Sequence, residues 1–138
     1  MHHGDTENTE KSVSLSHDSA MSERIIKMAI DVHRQLGPGL LETIYEQCLC
    51  CELEQGGIAY ARQVPLPVTY KTLRLDCAYR MDIVVDNSLV VEVKAVERIL
   101  PIHEAQMLIY LRLSGHKVGL LMNFNNVVLK DGLRRFVL

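Results

Sequence analysis

Apolar residues are sparse over positions 1–20, which read as a disordered tail ahead of a folded domain spanning 21–138. From there the spacing turns helical. Ser22 reads as an N-cap, Ile25, Met28, Ala29, Val32 and Leu36 share one stripe, and Gly37-Pro38-Gly39 stops the run. A second helix is expected over about 40–55, with Leu41, Ile44, Tyr45, Cys48, Leu49 and Leu53 on its apolar face and Gly56-Gly57 at its end. The period then falls to two. A short strand is expected at 60–64 and an alternating one at 68–75, with Pro65 and Pro67 between them as the sign of an edge or an irregular entry. Two further strands surround Asp82 and Glu92, joined by Asp86-Asn87, residues that tolerate positive φ and so predict an antiparallel hairpin. Pro101 opens a third helix that ends at Ser114-Gly115. The apolar run 117–124 reads as a buried strand lying parallel to its neighbour after the helical crossover, and Phe136-Val137-Leu138 as a last strand or turn. The order α-α-β-β-β-β-α-β predicts one α/β domain, a size that 138 residues suit.

Composition narrows the function classes. A formal net charge of −2 argues against a protein that coats nucleic acid nonspecifically, but leaves room for a local basic groove. No apolar run approaches the length of a membrane span and no signal-peptide pattern is seen, so no membrane association and a cytoplasmic location are expected. Cys48, Cys50, Cys51 and Cys77 read as buried reduced thiols rather than as a zinc site. HExxH and GxSxG are absent, which counts against a zinc or serine hydrolase.

Chemistry concentrates in 79–95. Asp82 lies in one strand, and Glu92 and Lys94, two apart in the next, point to one face. Nearly all their neighbours are apolar, and charges in such a setting must pair or bind a metal. Two carboxylates and a lysine are the least that metal-dependent phosphodiester hydrolysis requires. On spacing alone, Glu92 and Lys94 could equally be an ion pair on a solvated sheet.

Asp82, then Glu92-Val93-Lys94 after a turn, followed by a helix, resembles the PD-(D/E)xK nuclease superfamily. Gly39-Leu40-Leu41-Glu42-Thr43-Ile44-Tyr45 resembles the signature of its GxxExxY family, and 101–106 and 118–124 resemble that family's later blocks. The resemblance implies a restriction-endonuclease-like, three-layer fold, a central mixed sheet flanked by helices. It implies nucleic acid, DNA first, as the partner, and Mg²⁺ or Mn²⁺ as cofactor, held by Asp82, Glu92, the Val93 carbonyl and Glu42. Lys94 would stand beside the attacking water. Gln106 would support the site, with Tyr110, His103 and Arg112 toward the substrate. Glu46, one turn past Glu42, is its rival as the helix carboxylate. Met81 departs from the pattern, which has proline before the aspartate. A homodimer or larger homo-oligomer is an arrangement the resemblance allows. A non-catalytic nucleic-acid-binding or accessory module of a repair or defence complex, built on the same fold, is the alternative.

Overall fold

The computed structural model describes the backbone of residues 5–138 and the side chains of residues 17–138 other than Cys77. Helix α1 (Asp5–Leu36) and helix α2 (Glu42–Gln55) precede the long hairpin β1 (Tyr60–Tyr70) and β2 (Leu73–Val85). Strand β3 (Leu89–Lys94), helix α3 (Pro101–Ser114), strand β4 (Val118–Asn123), a 3-10 turn at Leu129–Gly132 and strand β5 (Leu133–Val137) follow. The five strands form one sheet in the order β1-β2-β3-β4-β5. Only β3 and β4 run parallel, from Leu89↔Val118 to Lys94↔Asn123, the crossover between them being α3.

Three layers result. Ile25, Ala29 and Val32 of α1 and Tyr45, Leu49 and Leu53 of α2 pack on one sheet face, against Ile83, Val91, Val93, Leu120 and Met122. Met107, Tyr110 and Leu111 of α3 pack on the other, against Leu66, Met81, Val84, Val90 and Leu121. The central strands β3 and β4 are covered on both faces, and so they read in sequence as unbroken apolar runs. Among the described residues no helix is long and apolar enough to cross a membrane.

Three sequence expectations are corrected. The tail expected over 1–20 is helical from Asp5 onward, residues 1–4 lying outside the described ones. Ser22 caps nothing: its hydroxyl donates to the Asp18 carbonyl at 2.8 Å, one turn back, and both residues are buried. Buried Asp18 in turn accepts the Ser88 hydroxyl at 2.6 Å, fixing the early part of α1 against the β2–β3 turn. The strand expected at 68–75 is cut by a turn, with Lys71 at φ 54°, and its halves belong to β1 and β2. Pro65 and Pro67 fit inside β1 because that strand is the sheet edge. Of the cysteines only Cys50 is buried among those described. Cys48 is half-buried and Cys51 exposed, i and i+3 on α2. The Asp86-Asn87 turn forms as expected, with φ 52° and 49°.

Candidate active site

The faces of the β1–β2 hairpin invert at one rung, on both strands, ahead of a separate register shift between Leu66 and Val68. Tyr60, Ile83 and Val85 pack toward α1 and α2, and Arg62 reaches Glu46 on α2. Val64, Leu66, Tyr79 and Met81 pack toward α3. Residues two apart in a regular strand share a face, so each strand inverts between these sets. The residues at the inversion are Gln63 and Asp82, opposite each other in the register. Gln63 has a left-handed φ of 51°, a conformation that costs a non-glycine residue about 1–3 kcal/mol.

The inversion lifts Asp82 out of the β2–β3 ladder, which ends at Ile83↔Val91. Carboxylates close the gap. The Asp82 N–H donates to Glu92 Oε1 at 2.8 Å, and the Val93 N–H donates to Asp82 Oδ2 at 2.9 Å. A strand residue sends its N–H and C=O to the same side, so the Val93 carbonyl also leaves β3 toward Asp82. Each carboxylate keeps a second oxygen beyond these bonds.

Burial, then the neighbouring Asp82 charge, pushes the Glu92 carboxyl up to about 9. Asp82 is raised as well, by burial first, with Glu46 and Glu42 adding and the Val93 N–H and Lys94 opposing. Two touching carboxyls both driven toward neutrality must share protons or receive a cation. Lys94, on the same face as Glu92, favours the charged form of both carboxyls but forms no ion pair among the described residues.

Glu42 opens α2 and accepts the Ala95 N–H through Oε2 at 3.2 Å, which brings it to the end of β3. Its rival Glu46 is buried and engaged: Arg62 donates to it at 3.1 and 2.6 Å, and Gln63 Nε2 at 3.1 and 3.2 Å. Tyr45 supports this end. Its ring stacks on Phe124 at 4.6 Å, its hydroxyl donates to the Gly37 carbonyl at 2.5 Å and accepts the Leu40 N–H at 3.1 Å. That grip holds the bend at Leu40, Leu41 is extended, and α2 begins at Glu42 instead of at about 40.

On α3, Tyr110 meets Tyr79 edge-on at 5.7 Å. Its hydroxyl is raised, by burial first and then by the charges of Glu92 and Asp82, with Gln106 beside it. His103 is occupied in capping the helix, its Nδ1 accepting the Leu100 N–H at 2.9 Å. Arg112, two residues past Tyr110, projects from the far side of α3 and is exposed, so it is not gathered with the others.

Asn123 escaped the sequence reading. It is fully buried at the end of β4, donates to the Val96 carbonyl at 2.9 Å and accepts the Val96 N–H at 3.0 Å. With the Phe124 N–H donating to the Lys94 carbonyl at 2.8 Å, it fixes the chain as it leaves the site. An asparagine closing an apolar strand was the available signal. Gln63 and Arg62 gave none.

A mixed sheet between helical layers is the restriction-endonuclease-like architecture, and here an acidic pair and a lysine stand where two of its strands part. A sequence profile of the PD-(D/E)XK nuclease superfamily matches residues 19–136, and the chain belongs to that superfamily. No curated protein and no solved structure matches it.

Proposed function

We propose that this domain hydrolyses phosphodiester bonds of nucleic acid, DNA in the first instance, with Mg²⁺ or Mn²⁺, and that it is of the GxxExxY type. The observation that carries this reading is the Asp82–Glu92 pair in the gap between β2 and β3, with Lys94 facing it. Among the described residues no three His, Cys, Asp or Glu side chains form a ready cage. The donors at hand are two carboxylates and the Val93 carbonyl, an all-oxygen set that suits a hard cation, with Glu42 able to join directly or through water. Such a cation, when bound, supplies Lewis-acid activation of water and phosphate. Lys94 brings positive charge to the phosphoryl oxygens as water adds and the bond to the leaving oxygen breaks. Tyr110 borders the pair from α3, with Gln106 beside it.

The test is cleavage of plasmid, single-stranded DNA and RNA with Mg²⁺ or Mn²⁺. Asp82→Ala and Lys94→Ala are each expected to lower the rate by at least 100-fold, the scale on which one electrostatic contact acts. Full activity in both variants would overturn the assignment. Binding of nucleic acid without cleavage in any condition would favour the accessory-module reading.

A further inference from the structure

Beyond the inverted rung the hairpin leaves the sheet. Continued past Ile83↔Val91, the register sets residue 80 opposite Lys94, the last residue of β3. Residues 73–78 of β2 and 67–70 of β1, down to Tyr70↔Leu73, therefore extend past the carboxylate end of the sheet as a two-stranded arm, rooted where Leu66 and Tyr79 pack on α3. A register shift between Leu66 and Val68 leaves β2 two residues longer than β1 here, so the shorter β1 side sets the reach, at about 3.3 Å per residue roughly 13 Å.

The arm carries charge that the rest of the chain does not. Residues 64–81 hold Lys71, Arg74 and Arg80 against Asp76 alone, in a chain of net charge −2. Leu66 and Tyr79 face α3, so Arg80, paired with Pro65, faces the other way. Arg74, paired with Thr69, lies on the face opposite Val68 and Leu75. The register shift between Leu66 and Val68 takes two steps on β1 and four on β2, both even, so Arg74 keeps the face of Arg80, the α2 side where Glu42 stands, and both are exposed. Arg74 is engaged by Asp76 only through Nε, so the rest of its guanidinium fork remains available. At the tip, the Lys71 ammonium lies 5.4 Å from the centre of the Tyr70 ring.

We propose that this arm is the substrate-guiding element, binding a nucleic-acid phosphate backbone through Arg80, Arg74 and Lys71 on one side of the bond to be cut. The proposal rests on the nuclease reading. Arg80 is two residues from Asp82 and Arg74 eight, so a strand whose phosphate sits at the carboxylates passes the arginines in turn. At 3.4 Å per nucleotide the arm spans about four nucleotides, and substrates shorter than that on the arm side lose most of their affinity.

The experiment measures fluorescence anisotropy of labelled oligonucleotides of 4 and 16 nucleotides, single-stranded and duplex, with Ca²⁺, over a salt series. Compared are the full chain, Arg74→Glu/Arg80→Glu, and Lys27→Glu/Lys130→Glu, which makes the same charge change on exposed residues elsewhere. Melting curves confirm that all three are folded. The arm variant is expected to bind the 16-mers at least tenfold more weakly, with the log–log salt slope smaller by about two, and the control variant to bind like the parent. Equal weakening in both variants would reduce the effect to net charge and overturn the arm. Parent-like binding by the arm variant would overturn the arm and leave the nuclease reading standing. No binding by the parent chain to any probe would remove both.

Discussion

Asp82 and Glu92 show how far a residue's chemistry depends on its setting. Glu92 has an ordinary value of 4.5 and is raised to about 9, so between those values the folded state holds a proton that the unfolded chain has released. That contribution to stability is complete below pH 4.5 and disappears as pH rises through 9. Thermal melts of the cation-free protein should therefore show stability falling from about pH 5 to pH 9, and Glu92→Gln should flatten that decline. A parent chain whose stability rises over the same window would contradict a buried, protonated Glu92. Tyr45 is a second case. Phe would preserve its stacking on Phe124 but leave the Gly37 carbonyl and Leu40 N–H unpaired. Urea unfolding of Tyr45→Phe should show a loss of about 1–3 kcal/mol. A loss below 0.5 would place the hydroxyl's partners in water.

At the scale of elements, the turn after β4 governs the segment that leaves β3. A Cβ on Gly132 would sit 2.7 Å from the Asn123 carbonyl, whereas one on Gly119 would meet only the flexible Met107 side chain. Gly132→Ala should thus destabilise more than Gly119→Ala in the same unfolding assay. Asn123→Ala should lower Mn²⁺ affinity by calorimetry more than it lowers stability, through release of Val96. The two strands around Asp82 and Glu92, the Asp86-Asn87 turn between them and the buried run of β4 were legible in the sequence, because local composition and spacing decide them. The first half of α1 was not: Asp18 and Ser22 are buried through Ser88 and each other, contacts across the chain that no stripe announces. The β1–β2 turn was missed because Lys71 and Thr72 lack turn composition. Asp82, Glu92 and Lys94 could be picked out by residue type. Their arrangement depends on an inversion at Gln63, and a glutamine with positive φ leaves no trace in sequence.

For the molecule as a whole, protection should be uneven. β3 and β4 are buried on both faces and paired on both edges, while the arm has one partner strand and exposed Tyr70, Leu73 and Leu75. Native-state hydrogen exchange should find the slowest amides in β3 and β4 and exchange at least tenfold faster over 68–76. Uniform protection would mean that the arm is covered by another surface in solution. A homodimer would supply such a surface, and sedimentation would reveal it.

The inverted rung has a consequence for how such a domain can diversify. Because β1 and β2 change face together, the arm's phase is reset at Gln63 and Asp82, and what lies beyond them carries no information back to the sheet. Adding or deleting matched rungs at the tip, one residue from each strand, would lengthen or shorten the reach while leaving the carboxylates in place. An insertion in one strand alone would have to be absorbed as a bulge, as the extra β2 residues between Leu66↔Tyr79 and Val68↔Leu75 already are. Reach is thereby a separable variable of this architecture, and chemistry is the part held constant.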